Sequence, residues 1–197
     1  MKARSLLRFL FLLVICHFPA GILAQTATVA AWNIEGFAPV TAAKAKRVAR
    51  AIHNLRPDVI ALVEVNPNAA AVTVVNDLTH LGDHYSMRIL TQTATQNLAL
   101  VFKDGVTVSN LRLIPGSDAG SANLRKALSA TVRIGQFDFI LIAVHMKAGR
   151  PTNGSSADPR IIRNREATAI GNFINTATHG VEKDVSGGRL QHDSGRG

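Results

Sequence analysis

Cysteine is almost missing from this chain: its 197 residues hold one, Cys16. That residue falls inside a leader-like segment, so the sequence from residue 25 onward has no thiol and no disulfide. A disulfide-stapled scaffold and thiol chemistry are both excluded, and stability must come from core burial alone. No internal repeat or long low-complexity stretch is present, and no membrane-length apolar run lies beyond the leader, which excludes a solenoid, a linker protein and a multispan membrane protein. Acidic residues are scarce, 13 against 22 Lys and Arg. The basic surplus favours a phosphate-bearing partner by long-range attraction, although it serves equally as a solubilising surface.

The segment 1–24 places Lys2, Arg4 and Arg8 before an apolar run from Phe9 to Cys16, followed by Pro19 and a small-residue boundary at Ala24-Gln25. It reads as a secretory signal peptide. A membrane anchor is the weaker reading, because His17 and Pro19 break the run short of the roughly 20 apolar residues that a span needs. Ile15 is too large for the position before a lipoprotein cysteine. The expectation is export, secreted or periplasmic, with no membrane anchor after cleavage and no obligate protein partner evident. Residues 25–185 suffice for one domain with a sizeable core.

The strongest signals are two apolar runs that end in polar side chains: Ala30-Ala31-Trp32-Asn33 and Val59-Ile60-Ala61-Leu62-Val63-Glu64. Each predicts a buried strand. A core strand gains nothing from an amide or a carboxylate at its end, whereas a site gains rigidity from being mounted there. A helix capped by Thr41 and running to about Leu55 separates them, with Ala45, Val48, Ala49, Ile52 and Leu55 on one face. Its basic residues Lys44, Lys46, Arg47 and Arg50 read more readily as a solvated face than as a nucleic-acid contact.

Pro67 opens a second helix to about Leu81, with Val72, Val75, Leu78 and Leu81 inward. His53 reads as a surface or capping histidine. His80, Asp83 and His84 lack the spacing of a ligand set and read as a polar loop. Strands follow at Tyr85–Leu90, Asn97–Phe102, Val106–Ile114, Ala127–Ile134 and Phe137–Val144. The last is almost wholly apolar up to His145, so it is expected in the middle of a sheet. A helix is expected from Arg160 to about Thr176.

Read singly, Glu64 also suits a partner for an arginine, Asn33 a turn cap, and His145 a satisfied core histidine. Together, and in order, these segments resemble the endonuclease/exonuclease/phosphatase superfamily, which includes pancreatic-type deoxyribonucleases, apurinic-site endonucleases, sphingomyelinases and inositol polyphosphate phosphatases. The segments that carry the resemblance are Val29 to Phe37 with its Trp-Asn pair, Pro57 to Val65, Arg125 to Leu128, Ile140 to Gly149, and Arg165-Glu166-Ala167. It implies an α/β (α+β) fold, a two-sheet β-sandwich flanked by helices in four layers. It further implies magnesium, or manganese in its place, held by Glu64 with Asn33. Asn33 and Arg125 would contact substrate, and His145 would donate to phosphate oxygens as charge develops. The implied activity is phosphoester hydrolysis, phosphodiesters and nucleic acid first, and the alternative is a phosphate- or partner-binding module without turnover. Val63, Ala143 and Met146 depart from the usual pattern and blur the substrate assignment.

The resemblance also implies a later Gly-Asp-Phe-Asn segment and a terminal Asp-His pair that activates water. Neither is present, and residues 186–197 show no apolar periodicity and are expected to be unstructured. The codons of Gly187 to Gln191, read one base later, can spell Val-Gly-Asp-Phe-Asn. A frameshift near Val185 is therefore expected, the alternative being a short tail evolved as such. Activity is expected to be impaired. The apolar sheet faces left uncovered predict poor stability or aggregation.

Overall fold

A computed structural model describes residues 26–35, 42–66, 68–94, 96–150 and 157–187, with side chains described as far as residue 177. In chain order the elements are β1 (Val29–Asn33), α1 (Ala42–Leu55), β2 (Val59–Val65), α2 (Ala69–His80), β3 (Tyr85–Ile89), β4 (Asn97–Lys103), β5 (Val106–Leu113), β6 (Leu128–Ile134), β7 (Phe137–Ala143) and α3 (Pro159–Gly187). The leader, Thr41, Pro67 and residues 188–197 lie outside the described residues.

Two sheets form, in the orders β1-β2-β4-β3 and β5-β6-β7. β1 and β2 are parallel because α1 carries the chain back between them, and every other pair is antiparallel. β2 from Val59 to Val63 and β4 from Leu98 to Phe102 are apolar because both of their faces are covered. Ile60, Leu62, Ala99 and Val101 meet Ala45, Val48, Ala49 and Ile52 of α1 and Ala71, Val74 and Leu78 of α2. On the other face Ala61, Leu98 and Leu100 meet Leu128, Ala130 and Ala143, and Val59 and Phe102 meet Val132 and Ile134. The inner faces of the two sheets therefore pack together. α3 touches the outer side of the second sheet, where the Arg112 guanidinium lies 4.6 Å from the centre of the Phe173 ring. The architecture is the helix-flanked, two-sheet α+β sandwich.

Buried Asp158 starts α3, accepting the Arg160 backbone N–H at 2.8 Å, with Pro159 at the first helical position. The helix continues to Gly187, past the Thr176 limit expected from its apolar pattern.

Four other expectations need correction. β1 begins at Val29 and is mostly exposed, not buried, because it pairs on one side only among the described residues. β7 is an edge strand among the described residues, with Phe137 52% exposed, although its composition resembles that of a central strand. Val72 and Leu81 are exposed. Val72 lies on the side of α2 opposite its buried stripe of Ala70, Ala71, Val74 and Leu78, and Leu81 falls after the last helical residue, His80. Leu55 is exposed because α1 ends there, Arg56 leaving the helix at φ 49.

Candidate active site

Parallel register sets the ends of β1 and β2 side by side: Asn33 closes β1 and pairs with Val63. The next residue, Glu64, lies in a bulge where the register against β4 shifts between Val63 and Val65. Strict alternation would send Glu64 to the helix-covered face after Ile60 and Leu62. Val65 occupies that face instead, and Glu64 is turned out of the ladder at φ 67. Left-handed backbone costs a non-glycine residue about 1–2 kcal/mol, so the site is built at some expense of local stability.

The Glu64 carboxylate accepts from three side chains. Asn33 Nδ2 donates to Oε1 at 2.9 Å, Gln96 Nε2 to Oε2 at 3.2 Å, and His145 Nε2 lies 3.2 Å from Oε1. Asn33 uses its other end as well, its Oδ1 accepting the Glu35 N–H at 2.8 Å. An amide can serve an acceptor and a donor at once, which is why this position suits asparagine. Gln96 arrives because β4 runs antiparallel to β2, so the residue just before β4 lies beside the end of β2.

The second sheet supplies the other half. β6 and β7 are antiparallel, which brings Arg125, upstream of β6, next to His145, downstream of β7. Arg125 Nη1 donates to Gln96 Oε1 at 3.0 Å and Nε to the His145 carbonyl at 3.4 Å, while Nη2 lies 3.3 Å from His145 Nε2. Burial lowers the His145 pKa, the Arg125 charge lowers it further, and Glu64 opposes both. The imidazole is therefore neutral at neutral pH. The tautomer that fits Glu64 carries its proton on Nε2, which leaves the buried Nδ1 as an acceptor with no hydrogen-bond partner among the described residues. Burial also draws the Arg125 guanidinium down, offset by Glu64 and Glu166.

Glu166 of α3 backs this cluster. It is 1% exposed, and its oxygens accept the Lys147 N–H at 2.9 and 3.2 Å, while Arg163 Nη1 donates to the Lys147 carbonyl at 2.9 Å. The segment that follows His145 is thereby held through both backbone groups of Lys147. Burial pushes the Glu166 carboxyl up, against the Lys147 N–H and the charges of Arg125, Arg163 and Lys147.

All four residues singled out from the sequence, Asn33, Glu64, Arg125 and His145, thus meet in one cluster. Gln96 and Glu166 were not singled out. The only signal for Gln96 is its place before a strand antiparallel to β2, whereas Glu166 lies in the Arg165-Glu166-Ala167 segment that carries the family resemblance, without a role assigned to it there. His53 pairs with Asp83 at 2.7 Å rather than capping its helix, and His84 is exposed. Among the described residues, no group of three His, Cys, Asp or Glu could hold a metal ion.

A hard divalent cation nevertheless fits the donors. Magnesium keeps several waters and is commonly held by one or two carboxylates together with substrate phosphate. Glu64 supplies one carboxylate, three of whose roughly four lone-pair positions meet donors, and Asn33 adds an amide oxygen beside it. Beyond Asn33 opens a cleft of about 420 Å³ lined by Trp32, Glu35, Lys44, Arg47 and Val48.

The chain belongs to the endonuclease/exonuclease/phosphatase family, whose model matches residues 30–181. Among solved structures it is similar to truncated Caenorhabditis elegans TDP2, at 18% identity and a TM-score of 0.57, over 80% of this chain and 57% of that one. The human Nocturnin catalytic domain with bound sulfate anion gives 18% identity and a TM-score of 0.54, over 78% and 59%. D. rerio TDP2 complexed with single strand DNA product gives 17% and 0.50, over 66% and 49%. The chain thus spans less than two thirds of each of these neighbours. No curated protein matches it.

Proposed function

We propose that this chain is an exported, divalent-metal-dependent phosphodiesterase, with nucleic acid as the favoured substrate. The observation that carries this reading is the convergence of Asn33, Gln96 and His145 on the Glu64 carboxylate at the meeting of the two sheets. Magnesium, or manganese in its place, would be held by Glu64 with Asn33 and would neutralise phosphate charge. With Glu64 turned to the cation, the His145 Nε2–H and the Arg125 guanidinium would be the donors for phosphate oxygens where negative charge grows. Lys44 and Arg47 line the adjoining cleft, where they favour a chain of phosphates over a single one. A family neighbour bound to single-stranded DNA product supports the same substrate class. Export is proposed on the leader segment.

None of these groups is placed as a general base, since Glu64 is surrounded by donors and His145 Nε2 is directed at Glu64. The cluster's own part is to hold cation and phosphate, and turnover by the chain as given is expected to be weak. The test is oligonucleotide binding and cleavage with magnesium and with chelator, for the full chain and for Glu64→Ala. Chelator-sensitive cleavage that is lost in Glu64→Ala supports the enzyme. Metal-dependent binding without cleavage supports the alternative, a phosphate-binding module, and absence of both overturns the two readings together.

A further inference from the structure

Beside the site runs a set of amide side chains that contacts neither cation position nor substrate. Asn97 opens β4 and is 6% exposed. Its Oδ1 accepts the Gln92 backbone N–H at 3.1 Å, and its Nδ2 donates to Asn68 Oδ1 at 2.7 Å. Asn68, at the start of α2, passes the link on by donating its own Nδ2 to Thr91 Oγ1 at 2.9 Å. Gln92 then grips the entry to β6 with both ends of its amide. Its Oε1 accepts the Lys126 N–H at 2.7 Å and its Nε2 donates to the Lys126 carbonyl at 3.1 Å.

These residues are the chain neighbours of the site. Asn97 follows Gln96 and pairs with Val65, directly across from the bulge that turns Glu64 outward. Lys126 follows Arg125. Burying polar amides where apolar groups would fill the space costs free energy unless every group is satisfied, and here both ends of the Asn97 and Gln92 amides are. A packing role alone needs no such linkage between chain segments that lie next to Glu64, Gln96 and Arg125.

We propose that Asn97 and Gln92 are positioning residues of the Glu64 site. By tying α2, the loop before β4 and the entry to β6 together, they hold Glu64, Gln96 and Arg125 at the spacing the cation requires. The inference rests on the reading of Glu64 as the cation-holding carboxylate. Outer partners of metal ligands typically contribute about 10- to 100-fold in metal affinity.

The experiment is Mn²⁺ titration of the full chain, followed by the loss of the free-ion electron paramagnetic resonance signal, at a temperature where circular dichroism shows each variant folded. Asn97→Leu is expected to weaken binding about 10- to 100-fold. Asn97→Asp is expected to recover most of it, because its carboxylate still accepts from Gln92 and Asn68 can turn its amide to donate. Gln92→Ala, on an accessible loop, keeps the test open if Asn97→Leu fails to fold, and it is expected to weaken binding in the same direction. Wild-type affinity in Gln92→Ala and in every folded Asn97 variant, alongside loss in Glu64→Ala, overturns the proposal. Equal binding by wild type and Glu64→Ala instead overturns the underlying reading, and the proposal with it.

Discussion

Asn33 and Glu64 stand 31 residues apart in the chain, yet the amide of one donates to the carboxylate of the other at 2.9 Å. Two separate devices make this contact: the parallel pairing of β1 with β2, and the bulge that rotates Glu64 out of its ladder. The second leaves a measurable mark on stability.

Glu64 holds φ 67, a conformation that glycine adopts without strain. Glu64→Gly is therefore expected to be more stable than Glu64→Ala by about 1 kcal/mol in urea unfolding, although neither binds cation. In a regular strand the order reverses, so a less stable glycine variant would remove the bulge from the account.

Arg125 spends its planar fork on Gln96 and on the His145 carbonyl. A lysine ammonium cannot span these directions, and Arg125→Lys is expected to lose about 1–3 kcal/mol. Arg125→Met also leaves Glu64 and Glu166 without the nearby guanidinium charge, so a larger loss than for Arg125→Lys is expected. Urea unfolding of the two variants at one pH checks the order. Equal losses would show that the charge is irrelevant.

Glu166 is a buried acid whose pKa is raised above the ordinary 4.5. Such a group favours the folded state fully below the unfolded carboxyl range, and this contribution is lost as pH rises through the folded value. Glu166→Gln lacks the titration but keeps an acceptor for Lys147. The stability of wild type relative to Glu166→Gln is expected to fall as pH rises above the ordinary carboxyl value of 4.5, as followed by denaturant melts at intervals. A flat difference would place the carboxyl at its ordinary value.

Tyr85 is the chain's only tyrosine, so its ultraviolet titration reports one site. Its hydroxyl is buried and donates to the Pro57 carbonyl at 2.8 Å. Burial, then Asp83 and Asp58, push its pKa up to about 12. Tyrosinate absorbance is expected near that pH in the folded chain and near 10 in urea. The stability from the bound proton is present below 10 and is lost as pH rises through about 12. Coincident folded and unfolded curves would show an exposed hydroxyl.

Local pattern was enough to find most elements. Val59 to Val65 is read as a strand and found as one, and Ala45, Val48, Ala49 and Ile52 form the buried stripe of α1. Where the pattern misled, the missing information was the neighbour. The apolar run Phe137 to Ala143 looks the same whether one side or both sides are paired, and here it lies at an edge among the described residues. The position of Gln96 relative to Glu64 follows from antiparallel pairing, which leaves no local trace at residue 96.

The sequence by itself determined the alternation of apolar strands and helices, and it placed an amide, a carboxylate and an imidazole where strands end, because side-chain periodicity and polarity are properties of neighbouring residues. Only the tertiary structure decided that Asn33, Glu64, Gln96, Arg125 and His145 share one centre, and that a left-handed residue turns the carboxylate toward it. Strand register and the meeting of two sheets are set by contacts between distant segments, and no short window of sequence contains them.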